Sequence, residues 1–204
     1  LIQSGRADRV IVGGADCLAK FTVNGFNSLR ILNETPCKPF DEHREGLTLG
    51  EGAAYLVLEA ENLVGDKKRY AEVKGFGNAN DAFHPSATSD DARGPLRAMR
   101  DALQSAELSP FDIDYINAHG TGTVNNDETE SFAFITIFGK QVPPFSSTKS
   151  YTGHTLAAAG AVEAIISVLS ICHGEIYPNL NFEQPISGRG LIPVTKLQQN
   201  KQIK

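Results

Sequence analysis

Ile113-Asp114-Tyr115-Ile116-Asn117-Ala118-His119-Gly120-Thr121-Gly122-Thr123 passes from a short apolar run into alternating glycines and threonines, with a histidine at the junction. Bounded by Pro110 upstream and by the glycines downstream, the run predicts a strand over 113–118. α/β proteins place binding groups at such a strand end, because the side chain projects into the crevice beyond the sheet's carboxyl edge. Glycine lets a ligand approach the backbone closely, and the two threonines offer hydroxyls.

Working outward, strands and helices alternate. Val10-Ile11-Val12, ended by Gly13-Gly14, predicts a buried strand; residues 53–59 predict a second and Tyr70 to Phe76 a third. Residues 1–8 resemble the last turn of a helix with Gly5 as its C-cap. Leu96, Met99, Leu103 and Ala106 stand at helical spacing and predict a helix over 95–106. Asp127 to Phe138 reads as a helix whose acidic residues, Asp127 and Glu130, sit near its start as macrodipole charges rather than metal ligands. After Pro143-Pro144 the chain is extended over Phe145 to Thr148, and a long apolar helix follows from about Thr155 to Cys172. This order predicts an α/β fold with a layered sheet.

Leu156 to Cys172 is 17 mostly apolar residues, near the lower length of a membrane span. Glu163 near its middle is costly in lipid, and small residues dominate its start. The expectation is a core helix packed on every side, not a span. With 204 residues, 41% of them hydrophobic, the chain is long enough to bury a sizeable core. Its net charge of −5 argues against a general electrostatic grip on nucleic acid. Cys17, Cys37 and Cys172 are odd in number and far apart, which suits free thiols in the reducing cytoplasm. They give no metal spacing, and no metal or cofactor site is expected. The single methionine is Met99, and the chain opens Leu1-Ile2-Gln3 without a basic signal region. A processed chain, an expressed piece or part of a longer reading frame is expected.

A second histidine has an unusual setting. His154 ends Ser146-Ser147-Thr148-Lys149-Ser150-Tyr151-Thr152-Gly153-His154, read as an extended segment just before the apolar helix. On residues alone, His119 and His154 read either as binding groups or as capping and solvated side chains. His43, His84 and His173 read as surface residues. Gly13-Gly14 and Gly75-Phe76-Gly77 do not complete a dinucleotide loop, which leaves a nucleotide-binding α/β module a weak alternative.

The two histidine motifs occur together and in order with Arg6–Asp16, Pro39–Ala53 and Ala158-Ala159-Gly160-Ala161-Val162-Glu163. In this set the chain resembles the elongating β-ketoacyl-[acyl-carrier-protein] synthases, condensing enzymes of fatty-acid and polyketide synthesis with a thiolase-like fold. Glu45 and Leu47 depart from that pattern, where Asp and Phe are commoner.

The resemblance implies decarboxylative condensation of malonyl-acyl carrier protein with an acyl thioester. His119 and His154 would stabilise the enolate, Lys149 would support His154, and Glu163 would pair with Lys149. Thr121 and Thr123 would bind the phosphopantetheine arm. It also implies a homodimer with acyl carrier protein as partner. Residues 1–60 would close a first thiolase-like half, 61–67 would connect, and 68–204 would form most of a second half without its final strands. None of the three cysteines has the nucleophile's helix-start setting, so that residue is expected upstream of Leu1. The 204-residue piece alone is then expected to be inactive and poorly soluble. A non-catalytic chain-length-factor subunit is the rival within the same resemblance.

Overall fold

The computed structural model describes residues 1–84 and 86–204. Among the described residues ten elements run in order: β1 (Arg9–Asp16), α1 (Lys20–Ser28), β2 (Gly52–Glu59), α2 (Glu61–Val64), α3 (Arg93–Ala106), β3 (Ile116–Asn117), α4 (Val124–Phe138), β4 (Phe145–Ser146), α5 (Lys149–Thr152) and α6 (Ala159–His173). Single 3-10 turns stand at Pro110–Asp112 and Leu156–Ala158. Before β1, Arg6 N–H donates to Leu1 O and Gly5 N–H to Ile2 O, with Gly5 at φ 66°. That pair of bonds is the Schellman ending of a helical turn, as Gly5 suggested.

β1 and β2 form an antiparallel ribbon in which Val12 faces Leu56 and Gly14 faces Ala54. α6 and the preceding turn lie across one side, where the backbone of Ala157 occupies the space a side chain at Gly14 would need. The other side is open: Ile11 is 73% exposed and Val57 65%. β1 is therefore half-buried, not the fully buried strand its apolar run suggested. α6 also departs from expectation. It is long and apolar enough to cross a bilayer by composition, yet it rests on the ribbon by one face. Of residues 156–173 only Ala158, Ala159 and Ser170 are buried.

β3 and β4 pair in parallel, Ile116 with Phe145 and Asn117 with Ser146. The strand is shorter than 113–118 because its first residues finish a capped turn, in which Ser109 N–H donates to the Asp112 carboxylate at 2.8 Å. Beneath this pair sits an aromatic core of Phe40, Phe134 and Phe145, with ring centroids 5.0–6.2 Å apart. All three are 2% exposed or less; truncating one such ring typically costs about 3–5 kcal/mol.

Tyr70 to Phe76 forms no strand. Gly75 and Gly77 press against the α3 backbone at Ala98, Ala102 and Ala106, while Tyr70, Val73 and Phe76 are each at least 60% exposed. Among the described residues no strand edge lies beside it, and β structure needs one. Lys149 to Thr152, read as part of an extended segment, instead form the short helix α5.

Candidate active site

The loop after β3 and the turn after β4 meet face to face. The rings of His119 and His154 stand edge-on, their centroids 5.1 Å apart at 86°. Lys149 lies between the two motifs and is 97% buried, its side chain 3% exposed. Its ammonium uses all three protons: toward His119 Nδ1 at 3.1 Å, toward His119 O at 2.7 Å, and toward Glu163 Oε1 on α6. His119, His154, Lys149 and Glu163 thus form one cluster, but Lys149 bonds to His119 and not to His154, the histidine that the resemblance had it support.

These bonds assign the imidazole tautomers. An ammonium has no acceptor, so His119 Nδ1 must accept and its proton sits on Nε2. For His154, Leu156 N–H donates to Nδ1 at 3.2 Å, which again leaves the proton on Nε2. His154 is further fixed by its backbone, which donates to Thr48 O at 2.7 Å and accepts from Gly50 N–H at 3.1 Å. Burial, reinforced by the Lys149 ammonium and then by His154, pushes His119 down to about 3. Burial and then Lys149 push His154 down to about 4. Both rings are neutral at physiological pH, each with an Nε2–H that has no partner among the described residues. Burial raises Glu163, against the lowering effect of Lys149.

Thr121 and Thr123 lie in the same loop, their hydroxyls 2.9 Å apart. Thr121 is buried and Thr123 partly exposed. Cys37 is buried below them and donates its thiol to Thr121 O at 3.2 Å. Burial, with Asp127 adding to it, pushes that thiol up to about 12. Cys17 and Cys172 are exposed, and none of the three bonds to either imidazole. Among the described residues no three His, Cys, Asp or Glu side chains gather as a metal site.

Two residues read as macrodipole charges at the start of a helix have a further role. Glu130, 7% exposed, accepts the N–H groups of His119 and Gly120, both at 2.8 Å. Asp127, fully buried, accepts from Phe40 N–H at 2.7 Å and Gly122 N–H at 3.2 Å. Together they fasten the histidine loop to the first turns of α4. Burial raises both, and Glu130 reaches about 7 despite its two backbone donors. Arg44, also buried, lies 4.0 Å from Asp127 and donates to Val124 O. A sequence signal existed: Asp127, Glu130, Phe134 and Phe138 follow the three-to-four spacing of one helix stripe, and Phe134 and Phe138 are core residues.

The chain matches the model of the beta-ketoacyl synthase N-terminal domain over residues 1–63 and that of the C-terminal domain over 70–183. It belongs to the beta-ketoacyl synthase family. It is 40% identical over 197 residues to a 3-oxoacyl-[acyl-carrier-protein] synthase 2 from Staphylococcus aureus, covering 91% of this chain and 48% of that protein. Among solved structures it is similar to the ishigamide ketosynthase/chain length factor, with TM-score 0.92 and 35% identity over 100% of this chain and 50% of that one. It is also similar to a chain of the complex between a type II polyketide synthase acyl-carrier protein and its ketosynthase bound to the hexaketide. There the TM-score is 0.93 and identity 31%, over 100% of this chain and 53% of that one. The chain spans about half the length of the curated relatives it matches. The family's thiolase-like architecture agrees with the α/β class expected from sequence.

Proposed function

We propose that these residues supply the decarboxylating half of a β-ketoacyl-[acyl-carrier-protein] synthase active site. One observation carries the reading: two neutral imidazoles that meet edge-on, their tautomers both set to present Nε2–H. When a malonyl thioester loses carbon dioxide, the C–C bonding pair moves into the thioester and negative charge develops on its oxygen. Two preorganised N–H donors stabilise that oxygen, each worth about 10²–10³ in rate. The resulting enolate carbon attacks an acyl thioester held on a cysteine, forming the new C–C bond and releasing the cysteine thiolate. The product is a 3-oxoacyl chain two carbons longer.

Cys37 is too buried and too weakly acidic to be that nucleophile, and the other two thiols stand apart from the imidazoles. The nucleophile comes from residues outside these 204, consistent with relatives twice as long. Thr121 and Thr123 contact the phosphopantetheine arm, and acyl carrier protein is the partner. The reading keeps residues 1–60 and 68–204 as parts of two thiolase-like halves joined by 61–67. It also keeps a homodimer in the cytoplasm without metal or cofactor.

The test is carbon dioxide release from malonyl-acyl carrier protein by the full synthase polypeptide containing this chain. His119→Ala and His154→Ala should each lower the rate at least about 100-fold. Near-parental decarboxylation in either variant overturns the assignment. The 204 residues assayed alone should form no 3-oxoacyl product.

A further inference from the structure

Asn179 lies on the segment that follows α6, outside every motif, yet it is 2% exposed and its side-chain amide is fully engaged. Its Oδ1 accepts from Ser147 N–H at 3.0 Å. Its Nδ2 donates to Pro39 O at 3.0 Å and to Leu180 O at 3.4 Å. Its own N–H donates to Val194 O at 2.6 Å.

The two segments it joins are the ones that pack on Gly120. A side chain at Gly120 would strike Ser147 Cβ at 2.5 Å and Phe40 Cε2 at 2.7 Å, with φ at 39°. Ser147 Oγ donates to Gly120 O at 2.7 Å and accepts from Lys149 N–H at 3.3 Å. One residue further, Leu180 N–H donates to Ser150 Oγ at 3.0 Å. Lys149 is thus bracketed by Ser147 and Ser150, both tied to the 179–180 segment. Its ammonium must reach three acceptors at once, which only a fixed backbone origin allows.

We propose that Asn179, acting through Ser147, is a positioning residue that sets Lys149 against His119. The inference rests on the decarboxylase reading above. Asn179 touches neither imidazole; it fixes the distance between the loop that carries His119 and the turn that carries Lys149.

The experiment compares Asn179→Ala, Ser147→Ala and Leu96→Ala with the parent full synthase. Leu96 packs with Ala92 and Ala133 between α3 and α4, so its truncation lowers stability without entering this network. Rates of malonyl-acyl carrier protein decarboxylation are followed across the acid range. A misplacement of order 1 Å costs up to about 100-fold. Asn179→Ala should lower kcat at least about tenfold with KM little changed. The groups facing His119 are Lys149, His154 and, at its backbone, Glu130. With the ammonium displaced, His119 protonates more easily, so as the pH is lowered activity should begin to fall at a higher pH than in the parent.

Ser147→Ala, a one-atom change, should show the same two effects in smaller degree. Leu96→Ala should show neither at a matched loss of melting temperature. Parental kcat and a parental acid profile in Ser147→Ala overturn the proposal, whether or not Asn179→Ala folds. The same loss in Leu96→Ala overturns it too, since stability alone would then account for the effect. An inactive parent would instead refute the decarboxylase reading.

Discussion

Replacing Lys149 with methionine removes three ammonium bonds and leaves Glu163 in a mostly buried position without its counter-charge. Stranding one member of a buried ion pair costs about 3–5 kcal/mol. Glu163 keeps 18% of its side chain exposed, so the lower end applies, about 3 kcal/mol. At about 2–4 °C per kcal/mol for a domain of this size, the melting temperature at pH 7 should fall by about 6–12 °C. The loss should depend on pH with a definite sign. Burial already raises Glu163 above its ordinary 4.5, and Lys149 is the group that lowers it. Without Lys149 the carboxyl rises further, so the folded variant holds a proton that the unfolded chain releases. Its stability is greatest below the unfolded-state value and is lost as pH rises through the folded-state value. The deficit should therefore shrink between pH 7 and pH 5. In Lys149→Met/Glu163→Gln neither charge is stranded, and at least half of the loss at pH 7 should return. Calorimetry of the parent, both single variants and the double variant at the two pH values measures this. A deficit of equal size at both pH values, or a double variant no more stable than Lys149→Met, would refute the claim that the pair's electrostatics dominate its packing.

Glu130, raised to about 7 from 4.5, makes the folded protein lose stability as pH rises across that interval. Glu130→Gln should flatten this slope in urea titrations. It should also cost about 1–3 kcal/mol at pH 5, because the His119 and Gly120 N–H groups meet different carboxylate oxygens and glutamine puts an NH2, which cannot accept, in place of one of them. Among the thiols, Cys17 and Cys172 should react promptly with a thiol reagent at pH 8 in the native state, while Cys37 reacts only on unfolding. Peptide mapping that finds Cys37 labelled as fast as Cys17 and Cys172 would contradict its burial. Gly120→Ala should destabilise by at least about 1 kcal/mol and depress decarboxylation, since the methyl group meets Ser147 and Phe40 in a left-handed backbone. An unchanged melting temperature would show that this contact yields.

How far the residue string reveals such a site depends on whether the deciding interaction is local. β2, α3 and α4 follow from short apolar runs and helical spacing, which report on the chain's own geometry. His119, His154, Lys149 and Glu163 were legible because each belongs to a motif whose residue types are unusual where they stand. Tyr70 to Phe76 has the composition of a strand and no strand edge beside it, and pairing is a property of two segments, not one. The helical period placed Asp127 and Glu130 near the start of α4, but not on its inner face. That face was fixed by Phe134 and Phe138 one and two turns later, packing against the core. Once those rings are buried, the two carboxylates are carried inward, where they need donors, and these come from the backbone of Phe40, His119, Gly120 and Gly122, from the Asn126 amide and from Arg44. The same logic applies to Asn179, an ordinary residue in an irregular segment whose amide matters because Ser147 N–H and Pro39 O have no other side-chain partner among the described residues. Motifs therefore locate the groups that meet substrate, and burial of polar atoms locates the groups that hold them still. Asn179→Ala and Lys149→Met should consequently differ. Both should lower the rate, since the first displaces and the second removes the ammonium beside His119, but only the second strands Glu163 and should carry the ion pair's stability loss. A variant set in which both effects moved together would mean that positioning and ion pairing cannot be separated in this site.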